Sequence, residues 1–230
     1  MATMDKKKRF LFIIAVALTI LTLLFVILRT THVILRIGDK YTMCFQKNIV
    51  YGERDINNEN VKELVYAKNV TNFSSMNTSI TNFDFLSVFT HLESLTVAGD
   101  NYQGITINHL PSLENSPQLN YANLYIDVEN LDFLSESSNL EYLAIVSRNT
   151  EIQDIAGLQN KPKLRYLRLD SVHCSDYSVL LDMPSLISLH IDEAVLPDDI
   201  FIALEEKGVS MSHYDEEKEE WVKNVRSSGN

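Results

Sequence analysis

The stretch IQDIAGLQNKPKLRYLRL, residues 152–169, carries the pattern that decides the fold of this chain. Its apolar residues follow one another at intervals of 3, 3, 6, 3 and 2 residues. The last two, Leu167 and Leu169, are two residues apart, a spacing that is typical of a strand with one buried side, and Leu164 precedes them by three residues. The earlier intervals suit a short helical turn that packs its apolar side against the same core.

The same spacing occurs five times, so the sequence is a repeat array. The repeats start at residues 80, 107, 128, 152 and 174, which separates consecutive starts by 27, 21, 24 and 22 residues. Two further clear copies are ITNFDFLSVFTHLESLTV at 80–97 and CSDYSVLLDMPSLISLHI at 174–191. A unit of this length has no partner for its apolar side until the next unit stacks on it. We therefore predict an α/β solenoid of five repeats whose strands form one parallel sheet.

These three segments resemble the leucine-rich-repeat family, and most closely its bacterial internalin-like branch. The resemblance covers residues 80–192 and implies a concave parallel sheet that acts by binding. The sequence departs from the family where an asparagine usually follows the strand; the five equivalent residues are Asp100, Asp127, Arg148, Val172 and Ala194. The usual asparagine hydrogen-bond ladder is therefore expected to be absent, or to be mimicked only at the two aspartates.

The segments on either side of the array are predicted to cover its apolar ends, as a solenoid requires. Residues 193–214 read as a C-terminal cap, in which Gly208 ends a short helix and a last strand follows. Residues 215–230 are highly charged and are predicted to be a flexible tail. Residues 30–79 contain short strand-like segments and are assigned to a stalk and an N-terminal cap.

An apolar run at residues 10–28 predicts a transmembrane helix. A helix of 19 residues is about 28 Å long, close to the thickness of the hydrocarbon core of a bilayer. Four basic residues precede the run and only Arg29 directly follows it. The positive-inside bias therefore predicts that residues 1–9 are cytoplasmic and that residues 30–230 lie outside the cell membrane.

A cleaved signal peptide is the alternative interpretation of this run. Its apolar core would be shorter, and a small-x-small cleavage site would follow it. The run is instead followed by Arg29-Thr30-Thr31, which offers no such site. These flanks favour an uncleaved signal anchor, and hence a single-pass membrane protein.

Charge and motif content restrict the function of the chain. Residues 1–29 carry a net charge of +4, whereas residues 30–230 carry 15 Lys/Arg and 30 Asp/Glu, a net charge of -15. An acidic surface repels phosphate backbones, so no nucleic-acid partner is expected. The sequence has no P-loop, GxGxxG, HExxH, GxSxG or CxxC motif, and its six histidines lack metal-ligand spacing. We therefore predict no enzymatic activity, no cofactor and no metal.

Strand parity predicts which side chains line the concave face, because successive residues point to opposite sides of a sheet. Tyrosines recur at one strand position in three consecutive repeats, and strands about 4.8 Å apart would stack them into one row. The predicted binding residues are Tyr121, Tyr125, Tyr142, Tyr166, Arg168, Asp170, His190 and Asp192.

Two interpretations of this surface stay open. Tyrosine and arginine are enriched in binding hot spots, but aromatic rows also stabilise sheets by cross-strand pairing alone. A cation site formed by Asp170, His190 and Asp192 is a weaker possibility, since nothing in the sequence fixes its coordination geometry.

The predicted function is a membrane-tethered ectodomain that binds a protein or glycan ligand through its concave face. The alternative is a structural scaffold or accessory subunit of a cell-envelope membrane complex. A scaffold would make its contacts through the anchor and residues 30–79.

Overall fold

The computed structural model describes residues 6–52, 55–99, 105–107, 110–191, 196–215 and 220–223. The two helices are α1 (Lys6–Thr30) and α2 (Asp198–Glu206). The strands are β1 (Ile34–Ile37), β2 (Lys40–Met43), β3 (Asn48–Tyr51), β4 (Asn72–Ser75), β5 (Ser94–Val97), β6 (Ile105–Thr106), β7 (Tyr121–Leu124), β8 (Ile126–Asp127), β9 (Tyr142–Val146), β10 (Tyr166–Asp170), β11 (Ser188–His190), β12 (Ser210–Asp215) and β13 (Glu220–Lys223).

One sheet organises the chain, with its strands in the order β3-β4-β5-β7-β9-β10-β11-β12-β13. The strands from β3 to β12 are parallel to their neighbours, and β13 pairs antiparallel with β12. The registers bring equivalent repeat positions together, as in the contiguous set Leu143, Leu167 and Leu189. The predicted solenoid with a parallel sheet is therefore confirmed.

Within the described residues, 3₁₀ turns return the chain between strands in four of the predicted repeats. They cover Asp84–Val88, Asp132–Leu134, Ala156–Leu158 and Ser178–Asp182. An Asn or Asp lies two residues before each turn and accepts a hydrogen bond from the backbone N–H of the first turn residue; these acceptors are Asn82, Asn130, Asp154 and Asp176. Such local side-chain bonds favour a tight turn over an extended backbone.

The parallel sheet begins earlier than the five repeats predicted. Strands β3 and β4 lie in residues 30–79, the range assigned to a stalk and cap, and they extend the sheet beyond β5. The buried residues Val61, Leu64, Val70, Phe73 and Ser75 keep the repeat intervals of 3, 6, 3 and 2. This repeat escapes the sequence pattern because its last core position holds Ser75, whose buried hydroxyl is hydrogen-bonded to Thr78 three residues on.

The C-terminal end is closed by α2 and β12, as the sequence predicts for the helix and strand. Ile200, Phe201 and Leu204 of α2 are buried, and Gly208 ends this segment with a φ of +79°. The tail differs from the prediction. Residues 220–223, expected to be flexible, form β13, because pairing with β12 satisfies their backbone hydrogen-bonding groups.

A buried column that the apolar pattern does not include lies nine residues after each repeat start. Its described members are Phe89, Ser116, Ser137, Lys161 and Met183. Lys161 is only 1% exposed, and its ammonium group donates hydrogen bonds to the carbonyl oxygens of Ser135 and Gln159 at 3.0 and 2.8 Å. Burial lowers the pKa of Lys161 to about 8, since the interior disfavours the charged form.

Lys161 makes the stability of the solenoid depend on pH. Between about pH 8 and 10.5 the unfolded chain keeps this proton and the folded chain releases it, so folding becomes more favourable as pH rises. We expect the free energy of unfolding of the native chain to rise relative to Lys161→Met, by up to about 3 kcal/mol. Urea denaturation of both proteins from pH 7 to 10 measures this difference. A difference that stays constant across that range would contradict the assignment.

Helix α1 is joined to the domain through fixed contacts. The Arg29 guanidinium forms two hydrogen bonds of 2.6 and 2.7 Å with the Glu63 carboxylate, and a third to the Ile34 carbonyl oxygen at 2.7 Å. The backbone N–H of Arg36 also donates to Glu63, at 2.6 Å. The guanidinium of Arg29 holds the pKa of Glu63 below its usual value, so the carboxylate stays ionised at neutral pH. The end of α1 is therefore anchored on the first turns of the solenoid.

Candidate functional site

Three tyrosines form a continuous row across the sheet. The registers pair Tyr121 with Tyr142 and Tyr142 with Tyr166 on the adjacent strands β7, β9 and β10. The first two rings are stacked, with centroids 4.6 Å apart and planes 10° apart. The Tyr142 and Tyr166 rings are 6.4 Å apart and tilted by 40°, and Tyr166 is 42% exposed. The three side chains occupy the surface that strand parity predicts.

Tyr125 lies just beyond the end of β7, beside this row. Its phenol group interacts electrostatically with Tyr121, Tyr142 and Arg168, so the four side chains lie close together. Burial raises the pKa of Tyr121 and of Tyr142, and each is raised further by the neighbouring phenols. Their hydroxyls therefore stay protonated at neutral pH and can both donate and accept hydrogen bonds.

Arg168 and Asp170 form a bidentate ion pair on β10. Two residues apart on one strand, they point to the same side of the sheet. The Nε and Nη2 atoms of the arginine lie 3.0 and 2.5 Å from the two carboxylate oxygens. Burial lowers the pKa of Arg168, but the hydrogen bonds and negative charge of Asp170 outweigh this effect and the pKa is raised. The pair presents a polar, nearly neutral edge to the tyrosine row.

His190 on β11 extends the surface towards the C-terminal cap. Its Nε2 lies 3.3 Å from the Ser188 hydroxyl and its Nδ1 lies 2.6 Å from the Ser212 hydroxyl. Burial lowers the pKa of His190 and the charge of Arg168 lowers it further, against the opposing effect of Asp170. The imidazole is therefore neutral at pH 7. Ser212 is a contributor that the sequence interpretation missed, because β12 was assigned to a cap rather than to the same face.

The surface is continuous over the described predicted residues. Tyr121, Tyr125, Tyr142, Tyr166, Arg168, Asp170 and His190 lie together on β7–β11, whereas Asp192 lies outside the described residues. In the part of the chain that the structure describes, no group of three or more His, Cys, Asp or Glu side chains could hold a metal ion. The sequence left open a cation site formed by Asp170, His190 and Asp192. Asp170 is the one carboxylate of that site among the described residues, and it forms an ion pair with Arg168.

Small side chains leave the row standing above its surroundings. Ala144 lies between Asn123 and Arg168 in the register and shares a face of the sheet with Tyr142, yet it is only 1% exposed. The short side chain is screened by its longer neighbours in the same column. Val146, opposite Asp170, is buried in the same way. The accessible part of this surface therefore consists chiefly of tyrosine rings and polar groups.

Asp127 replaces the expected asparagine at one turn behind the site. One of its carboxylate oxygens accepts hydrogen bonds of 3.0 Å from the backbone N–H groups of Arg148 and Asn149. The side chain of Asn149 donates to its other oxygen at 2.8 Å. The predicted mimicry of the asparagine ladder is present here. The other predicted aspartate, Asp100, lies outside the described residues.

Comparisons with solved structures identify the class of this fold. An internalin (InlF) from Listeria monocytogenes matches with a TM-score of 0.59 and 17% identity, covering 76% of this chain and 47% of its own. Internalin C2 from the same organism matches with a TM-score of 0.48 and 20% identity, covering 72% of this chain and 78% of its own. A Leptospira interrogans LRR protein matches with a TM-score of 0.46 and 13% identity, covering 65% and 50%.

The chain has a leucine-rich-repeat fold, similar to that of the InlF internalin. It spans about half the length of the InlF structure that it matches. No protein-family model and no curated protein matches the sequence.

Proposed function

We propose that this chain is a membrane-anchored receptor or adhesin whose leucine-rich-repeat domain binds a protein ligand outside the cell through its concave face. The row formed by Tyr121, Tyr142 and Tyr166 carries the proposal. It combines two half-buried tyrosine rings and one exposed ring with a bidentate Arg168–Asp170 pair, a composition enriched in binding hot spots. Rigid aromatic side chains also lose little conformational entropy when a partner covers them.

The geometry of the row favours a protein over a glycan. Sugars stack on the free face of an aromatic ring, but Tyr121 and Tyr142 cover one face of each other at 4.6 Å. What a ligand meets there is a line of ring edges and hydroxyl groups, followed by the polar groups of Arg168 and Asp170. Such a mixture suits the backbone and side chains of a protein surface.

The membrane anchor is supported by the length and the docking of α1. Among the described residues, α1 is the one helix that is long and apolar enough to cross a membrane. A signal peptide that is cleaved off makes no lasting contacts with the folded domain. Arg29, at the end of the apolar run, instead makes three hydrogen bonds to Glu63 and Ile34. The four basic residues at the start of α1, before its apolar run, favour a cytoplasmic N-terminus and an external domain.

Replacing Tyr142 and Tyr166 together with alanine is expected to remove ligand binding without unfolding the domain. Hot-spot aromatics each contribute more than about 2 kcal/mol, so losing two lowers affinity by at least a thousandfold. Binding is measured against arrays of purified extracellular proteins and of glycans, with hits verified by calorimetry. The control is Ile202→Ala, which truncates a 52% exposed apolar side chain on α2.

The melting transition separates the two interpretations of the row. If the double variant binds nothing and melts with the control, the tyrosines form a binding surface. If it melts far below the control, the row is structural and the proposed site is wrong. Hits confined to the glycan array would overturn the choice of a protein ligand.

A further inference from the structure

The β1–β2 hairpin carries a cluster of exposed apolar side chains near the end of α1. Tyr41 is 55% exposed, Met43 is 39% exposed and Phe45, just after β2, is 56% exposed. Tyr41 and Met43 are two residues apart on β2 and therefore share one face of the hairpin. Adjacent large apolar groups on an otherwise acidic, soluble domain indicate a surface that is covered in the working protein.

The contacts with α1 fix the height of this surface along the helix. The rings of Tyr41 and Phe25 meet edge to face, with centroids 5.5 Å apart, and the Arg29 guanidinium lies 5.7 Å from the Tyr41 ring. Phe25 is three residues before the end of the apolar run at Leu28, which is about 4.5 Å along the helix axis. Tyr41 therefore lies beside the last turn of the apolar run.

The charges around the hairpin suit the headgroup region of a bilayer. Arg36 is opposite Tyr41 in the hairpin register, and Lys40 precedes it on β2. Both are exposed. Tyrosine together with lysine or arginine is the composition of the interface between hydrocarbon and water, where the ring is shielded and its hydroxyl stays hydrated. Asp39 in the hairpin turn lies 3.9 Å from Arg36, so residues 34–43 carry a net charge of +1 on a domain whose net charge is -15.

We propose that the hairpin surface formed by Tyr41, Met43 and Phe45 lies in the headgroup boundary of the bilayer that α1 crosses. This inference rests on the proposed anchoring by α1 and commits to a lipid surface as the partner. Since Arg29 and Glu63 fix the helix to the domain, the solenoid is held against the membrane rather than on a flexible stalk. The orientation of the concave face relative to the membrane is then set by the fold.

Fluorescence quenching by labelled lipids tests this placement in the full chain. The single tryptophan, Trp221, is replaced with phenylalanine, and a reporter is introduced as Tyr41→Trp or Phe45→Trp. Each protein is reconstituted in phosphatidylcholine nanodiscs with or without lipids that carry a spin label on the headgroup. The matched control is Ile202→Trp, a similarly exposed position on α2 at the opposite end of the sheet. Alkaline carbonate extraction shows separately whether α1 is inserted.

Both hairpin reporters are expected to be quenched several-fold more strongly than Ile202→Trp. If the chain stays in the discs but the hairpin and α2 reporters are quenched equally, the inference is wrong and the anchoring stands. Blue-shifted hairpin reporters that the lipid label does not quench would assign the surface to a second copy of the chain and also overturn it. Extraction of the chain by carbonate would overturn the anchoring, and this inference with it.

Discussion

Gly157→Ala is expected to destabilise the solenoid by more than about 3 kcal/mol, because the position has no room for a side chain. A Cβ atom at Gly157 would lie 2.0 Å from the carbonyl oxygen of Leu131, 2.4 Å from its carbonyl carbon and 2.9 Å from the backbone nitrogen of Asp132. All three are backbone atoms of the preceding repeat and have no flexible side chain that could move aside. The substitution must therefore push two stacked turns apart.

The equivalent position in other repeats shows why this glycine is specific to its turn. Five residues after the repeat start, three of the other four repeats have a buried apolar residue, Phe85, Phe133 or Val179, and the fourth has the exposed Ser112. At residue 157 the missing side chain lets the backbone lie directly against the preceding turn. Loss of this close contact separates the repeats before residue 152 from those after it.

Urea denaturation compares Gly157→Ala with Gly52→Ala, a control whose added methyl group meets nothing within 4 Å. The control is expected to change the free energy of unfolding by less than about 0.5 kcal/mol, as is usual for open surface sites. If the two variants were equally stable, the close stacking of these turns would be wrong.

Phe73→Ala is expected to lower the free energy of unfolding by about 3–5 kcal/mol, the usual cost of truncating a buried phenylalanine. The Phe73 ring is 1% exposed and packs against Phe85 and Phe89, with ring centroids 5.3 and 5.8 Å away. The Tyr51 ring lies on its other side at 6.4 Å. Truncation would leave a cavity at the junction of β3, β4 and the first 3₁₀ turns.

This variant decides whether residues 30–79 belong to the solenoid core. Val50→Ala, on the neighbouring strand β3 and 71% exposed, serves as the control and is expected to be nearly neutral. Both are measured by thermal and urea unfolding of the same purified domain. If Phe73→Ala unfolded with the same midpoint as Val50→Ala, the N-terminal strands would not be part of the cooperative unit.

The spacing of leucines predicted the architecture because each core position repeats in register. Leu143, Leu167 and Leu189 occupy one interior column, and the parity of their strands also placed the tyrosine row correctly on the opposite side. The repeat that contains Phe73 was missed because its core ends in Ser75, whose buried hydroxyl forms a hydrogen bond with Thr78. The interior position of Lys161 was equally hidden, since a charged residue enters a core only where carbonyl groups receive its hydrogen bonds.

Strand parity also predicted part of the candidate site. Parity placed Arg168 and Asp170 on one face, but not the bidentate pairing of their side chains. The contact of His190 with Ser212 joins residues of two repeats, and it depends on β12 continuing the sheet rather than on a local motif. The docking of Arg29 on Glu63 links residues 34 positions apart, which no pattern of apolar spacing contains.

Display of the domain outside the cell is measured most directly by protease treatment of intact cells that carry the chain with a C-terminal tag. Residues 30–230 are predicted to be external, so protease should remove the tag while a cytoplasmic marker protein stays intact. A detergent-treated sample shows that the tag is cleavable in either case. Survival of the tag on intact cells, with its loss only after the membrane is opened, would contradict the external placement of the binding surface.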